Sequence, residues 1–143
     1  MSALEQAQAD VRTAMKAGDR ERAGALRMIV DALQKEAKLG DGDEVAVLQR
    51  ERKKRLEAAE AYAGAGRAEQ AAAERTEAEL IEGYLPQQLS DEELAELVDA
   101  AIAETGASEP KQMGQAMSAL MPKVGGRADG KRVSAAVRER LGA

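Results

Sequence analysis

The sequence predicts an all-α protein. Three observations predict it: a composition dominated by Ala, Leu, Glu, Lys, Arg and Gln, an absence of β-branched runs, and a recurring alternation of capping residues with apolar positions spaced three and four apart. The dominant residues lose least on entering a helix. A strand would need the runs that are missing.

Each element follows from its own signals. Ser2 with Glu5 reads as a capping box, opening a helix striped by Leu4, Ala7, Val11, Ala14 and Met15. Gly18 stops that helix and Asp19 caps a second, whose apolar face runs Leu26, Ile29, Ala32 and Leu33 to an end near Gly40. Gly40-Asp41-Gly42-Asp43 turns the chain and caps it again. The third helix carries Val45, Leu48, Leu56, Ala59 and Tyr62 and stops at Gly64-Ala65-Gly66; a fourth spans about Ala68 to Glu82. Pro86 cannot continue it and also restricts Leu85.

Ser90 with Glu93 forms a second capping box before Leu94, Leu97, Val98, Ala101 and Ile102, and Gly106 is placed for a left-handed cap. Ser108-Glu109-Pro110 starts a short helix that presents Met113, Met117, Leu120 and Met121 as a core stripe and stops at Pro122. Gly125-Gly126 turns, Asp129 caps, and a last helix carries Val133, Ala136, Val137 and Leu141. The natural cut lies at residues 86–90. It separates an N-terminal four-helix domain, 1–86, from a small C-terminal three-helix domain, 87–143.

Composition excludes several chemistries. Cys and His are absent, so disulfides, thiolate nucleophiles, zinc fingers, Ser-His triads and His-containing metal sites are ruled out. No catalytic residue, metal ligand or cofactor site is identified. No apolar run reaches the length of a membrane span, and the opening residues lack the order of a signal peptide, so a cytoplasmic location is expected.

Charge is segregated. Residues 1–89 hold 14 basic and 17 acidic side chains, 90–110 hold 7 acidic and none basic, and 111–143 hold 7 basic and 2 acidic. The loop Gly125-Gly126-Arg127-Ala128-Asp129-Gly130-Lys131-Arg132 brings three cations to a helix start, where backbone N–H groups and the dipole favour a phosphate. Lys131 and Arg132 face an unfavourable dipole there unless an anion is bound. The competing reading is a plain turn with solvated cations, Asp129 taking the N–H groups as N-cap. Arg50-Glu51-Arg52-Lys53-Lys54-Arg55 could grip a nucleic-acid backbone, but it reads better as a solvated helix face.

The chain also resembles a known family. The residues are Leu26-Arg27-Met28, Lys53-x-Arg55, Gly66-Arg67 and Tyr84-Leu85-Pro86-Gln87-Gln88-Leu89-Ser90, followed by Met113-Gly114, Met117, Met121-Pro122-Lys123 and Gly126-Arg127-Ala128-Asp129-Gly130-Lys131. In these it is similar to the YqeY-like (GatB/YqeY) proteins, related to the C-terminal tail domain of the B subunit of the tRNA-dependent amidotransferase. Arg52 departs from the pattern, which favours an apolar residue there. The resemblance implies an appendage that touches tRNA, while other domains hydrolyse glutamine and transfer the amide. A carbon–nitrogen ligase label, with glutamine as amido donor, would be inherited rather than chemistry of this chain.

Lys123, Arg127, Lys131 and Arg132 are therefore the candidate nucleic-acid-binding residues, with Lys53, Arg55 and Arg67 as a secondary basic face. Two functions follow. One is an accessory protein that binds tRNA weakly, its N-terminal helices making a second contact or docking an amidotransferase or aminoacyl-tRNA synthetase. The other is a protein–protein interaction module without an RNA role.

Overall fold

A computed structural model describes residues 1–142. Seven α-helices and one 3₁₀ turn make up the regular structure, with no strand among the described residues. They are α1 (Ala3–Lys16), α2 (Arg20–Leu39), α3 (Glu44–Gly64), α4 (Ala68–Glu82), α5 (Asp91–Thr105), the 3₁₀ turn (Pro110–Gln112), α6 (Met113–Val124) and α7 (Gly130–Arg140). The fold is all-α. The chain divides into two compact units, one ending at Pro86 and one beginning at Gln87.

The first unit consists of two helical hairpins, α1–α2 and α3–α4. Its core gathers Ala7, Ala14, Ala23, Leu26, Ile29, Val30, Leu33, Val47, Leu48 and Ile81. The α3–α4 pairing buries Ala59, Ala71 and Ala78, each at most 2% exposed, and such small residues let helix backbones approach closely. Arg52 Nε donates to Glu82 Oε1 at 2.7 Å and Arg55 Nε lies 3.3 Å from Glu77 Oε2, so the two helices run antiparallel.

Arg52 thus lies along this seam with only 18% of its side chain exposed. Its stem packs while its head is paired. Burial raises the Glu77 carboxyl above its ordinary range, against the pull of Arg55 and with the push of Glu74.

Two contacts across long sequence separations hold the hairpins together. The Glu44 carboxylate, in the first turn of α3, accepts the Ala3 and Leu4 N–H groups at 3.1 and 2.9 Å, satisfying donors that the start of α1 leaves open. The Tyr84 hydroxyl donates to Asp10 Oδ2. Burial first, then this hydrogen bond, pushes the Tyr84 pKa up and keeps the phenol protonated.

The second unit buries Leu89, Leu94, Val98, Ala101, Ala116, Leu120, Val124, Val133 and Val137 among its core residues. Both halves of the Ser90–Glu93 capping box form, at 3.0 and 3.1 Å. Gly106 adopts the left-handed cap at φ 71°. The ion pairs Asp91–Arg132 and Asp99–Arg140 share one sequence offset, so α5 and α7 lie parallel.

Five local expectations need correction. Met15, placed by its spacing on the apolar stripe of α1, is 56% exposed. Ser2 Oγ accepts the Glu5 N–H, but the Glu5 carboxylate accepts from the Ser2 hydroxyl rather than from its backbone N–H; Glu44 instead covers the open N–H groups at the α1 N-terminus. Pro122 does not end α6, which continues to Val124. A proline in the last turn removes only one helix bond, and Gly125 at φ 54° provides the stop. The core stripe of α6 is Ala116, Leu120 and Val124, all 0% exposed, while Met121 is 38% exposed. Val45 is only half-buried and its neighbour Val47 takes the core position.

Two outcomes test this packing. Tyr84→Phe should lower stability by about 1–2 kcal/mol in chemical denaturation, the scale of a hydrogen bond to a charged group. Ser90→Ala should cost about 1 kcal/mol at neutral pH. The Ser90 backbone N–H, then its side chain, holds the Glu93 carboxyl below its usual 4.5. A depressed carboxylate contributes stability above its unfolded pKa and loses it as pH falls through the folded one. Ser90→Ala keeps the backbone N–H and loses only the lesser, side-chain part, so its difference from wild type should shrink only slightly as pH falls below about 4.5.

Candidate nucleic-acid interface

The turn between α6 and α7 carries the four cations singled out by the sequence. Gly125 and Gly126 are both left-handed, at φ 54° and 86°, a geometry glycine adopts without a Cβ penalty. The incoming chain secures the turn from beneath: Leu89 N–H donates to Arg127 O at 2.7 Å and Gln88 Nε2 to Gly126 O at 3.3 Å. Lys123, Arg127, Lys131 and Arg132 thus flank one fixed loop.

Most of them already have partners. Lys123 Nζ lies 2.8 Å from Glu104 Oε2. Arg132 Nη2 lies 2.7 Å from Asp91 Oδ1. Arg127 donates from Nη2 to Lys123 O at 2.7 Å and from Nε to Val124 O at 3.2 Å, so it caps the last carbonyls of α6, where the dipole favours a cation. Asp129 accepts the Arg132 N–H at 2.8 Å and occupies the α7 start as N-cap. The Lys131 side chain is exposed and has no ion pair or hydrogen-bond partner among the described residues. The acidic α5 and basic C-terminal segment are thus folded against one another.

The secondary basic face is rearranged further. Arg55 sits between Glu74 and Glu77, at 3.8 and 3.3 Å, with 20% of its side chain exposed. Lys53 pairs with Glu57 at 4.0 Å and Lys54 with Glu51 at 3.5 Å, and Arg50 reaches Glu36 at 3.7 Å. The run is therefore not one solvated face: Arg50, Arg52 and Arg55 clasp α3 to α2 and α4. Arg67 is exposed at the start of α4 and supplies no side-chain cap there. The long-range carboxylate partners carry no local sequence signal.

A shallow groove of about 620 Å³ runs between α5 and α7, floored by Leu94, Ala95, Val98, Ala135 and Ala136 and edged by the Asp91–Arg132 and Asp99–Arg140 pairs. Its lining holds no hydroxyl or amine nucleophile. Among the described residues no group of acidic side chains is arranged to hold a metal ion, and no helix is long and apolar enough to cross a membrane.

Fold and site define a class: a small helical chain of two compact units, the second carrying four cations around the turn between its last two helices. The chain belongs to the YqeY-like family. A family model described as "Yqey-like protein" matches residues 4–141, and membership makes this a small helical protein related to the GatB C-terminal domain. A comparison with curated proteins finds no match.

The different work done by neighbouring cations is measurable. Arg127→Met should lower thermal stability, on the order of 1 kcal/mol, because α6 loses its carbonyl cap. Lys131→Gln should leave the melting curve within about 0.5 kcal/mol of wild type.

Proposed function

We propose that the chain is a non-catalytic accessory protein of the cytoplasm whose C-terminal unit acts as a domain contacting the phosphate backbone of tRNA weakly. The observation that carries this reading is the α6–α7 turn: a loop held by Leu89 and Gln88 that gathers Lys123, Arg127, Lys131 and Arg132. Lys131 is open to an anion. The pairs of Lys123 and Arg132 are exposed, with 59% of the Glu104 and 94% of the Asp91 side chain in solvent. Exposed pairs contribute about 0–1 kcal/mol, so exchanging a carboxylate for a phosphate costs little. Relation to a tRNA-contacting tail domain supports the same assignment, and an amidotransferase or aminoacyl-tRNA synthetase is the natural partner enzyme.

The second reading, a protein-interaction module, is favoured by a different fact. From residue 87 onward the chain holds 7 basic and 9 acidic side chains, so this unit attracts a polyanion only locally.

Titration of labelled tRNA at two salt concentrations decides between them. The RNA reading predicts a dissociation constant on the order of micromolar or weaker near physiological salt, with affinity falling off steeply as salt rises. Lys131→Glu with Arg132→Glu should weaken it without unfolding the protein. Absence of binding by wild type at low salt would leave the protein-interaction reading.

A further inference from the structure

The cations of the α1–α2 hairpin are held differently from those of α3. Between Arg50 and Arg55 every cation has a carboxylate partner. Arg12, Lys16, Arg20 and Arg27 are all exposed, and among the described residues none of them ion-pairs with a carboxylate. Residues 12–27 hold five cations against Asp19 and Glu21. The Asp19 carboxylate is engaged with the Arg22 N–H at 3.1 Å as the N-cap of α2.

These side chains share one flank of the hairpin. Arg27 Nη2 lies 3.2 Å from the sulfur of Met15, which places Arg27 beside the edge of α1 that Met15 occupies. Arg12 precedes Met15 by three residues and Lys16 by four, so the three are neighbours on the α1 surface. Arg20 precedes Arg27 by two turns, about 10 Å along the same stripe of α2. The only carboxylate one turn further along that stripe is Asp31, which is exposed and forms no ion pair with Arg27.

Local energetics account for Lys16, which lies in the last turn of α1 where the dipole favours a cation, but not for Arg20. Arg20 lies in the first turn of α2, where the helix dipole disfavours a cation. Among the described residues none of the four is held by an ion pair; Arg27 makes only its contact with the Met15 sulfur across α1 and α2.

We propose that this flank of α1–α2 is a binding surface for the phosphate backbone of a folded RNA, separate from the α6–α7 turn. Arginine forks match phosphate oxygens in bidentate fashion, and four unpaired cations on adjacent helices suit a polyanion. A protein partner would need apolar anchors, and the flank offers only Met15, 56% exposed. No aromatic residue lies among these side chains, so bases are not stacked on this surface and binding is independent of sequence. The inference rests on the RNA reading above and deepens it by giving it a second surface on the other unit, which the variants below separate from the α6–α7 turn.

The test uses the full-length chain with labelled tRNA as probe, at about 50 and 200 mM salt, the range over which phosphate-directed binding weakens most. Arg12→Gln, Lys16→Gln, Arg20→Gln and Arg27→Gln combined should weaken binding at least about tenfold at low salt. The salt slope should fall by about one for each phosphate that is no longer neutralised. The double variant Lys131→Gln, Arg132→Gln provides the comparison. Weakening in the quadruple variant and not in the double supports this surface and removes the α6–α7 turn. The reverse pattern overturns this surface and keeps the turn, and weakening in both supports both. Unchanged affinity and slope in the quadruple variant, or no binding by wild type at low salt, overturns the inference. If the quadruple variant melts early, the pairs Arg12→Gln/Lys16→Gln and Arg20→Gln/Arg27→Gln answer the same question, each expected to show part of the effect.

Discussion

The α3–α4 seam sets the terms for the rest of the first unit. With no Phe or Trp in the chain, large apolar area is scarce, and the seam buries alanines, Ala59, Ala71 and Ala78. Alanine burial yields little hydrophobic free energy per residue, so long charged side chains complete the contact. Arg52 and Arg55 lay their stems along the seam and end on Glu82, Glu77 and Glu74. Glu77 remains above its ordinary pKa because its burial outweighs the pull of Arg55. Cations recruited in this way are not free to meet a ligand, whatever their density in the sequence.

The second unit follows a related logic by a different route. Its acidic helix α5 and basic helix α7 pair at Asp91–Arg132 and Asp99–Arg140, and Lys123 reaches Glu104. These pairs are exposed, so they guide packing more than they stabilise it. The opposite-sign segments seen in the sequence therefore become one neutralised surface rather than an isolated basic one. Among the described residues, what remains without a partner at the turn is the Lys131 side chain.

Local signals were legible where the physics is local. Ser90 and Glu93 cap one another within four residues, Gly106 takes its left-handed cap, and α4 occupies the span expected from Ala68 to Glu82. The family was legible from its motifs. Pro122 misled because a proline near the end of a helix removes little, and Met121 because a stripe read at intervals of four does not say which of two adjacent stripes faces inward. Glu44 on the start of α1, Tyr84 on Asp10, and the carboxylates facing Arg52 and Arg55 join residues far apart in sequence. No window of residues encodes such contacts. The free cations of α1–α2 escaped notice for the same reason: they are spread over two helices, whereas the Arg50–Arg55 run is dense and already occupied.

The central claim is that cations left without a carboxylate partner in the fold, rather than the densest run along the chain, are the first to meet RNA. Covalent labelling of lysine amines, read by mass spectrometry with and without saturating tRNA at low salt, measures this on the unaltered protein. The account predicts protection of Lys16 and Lys131, with Lys53 and Lys54 labelled equally in both samples. Protection of Lys53 and Lys54 with Lys16 and Lys131 unchanged would contradict it.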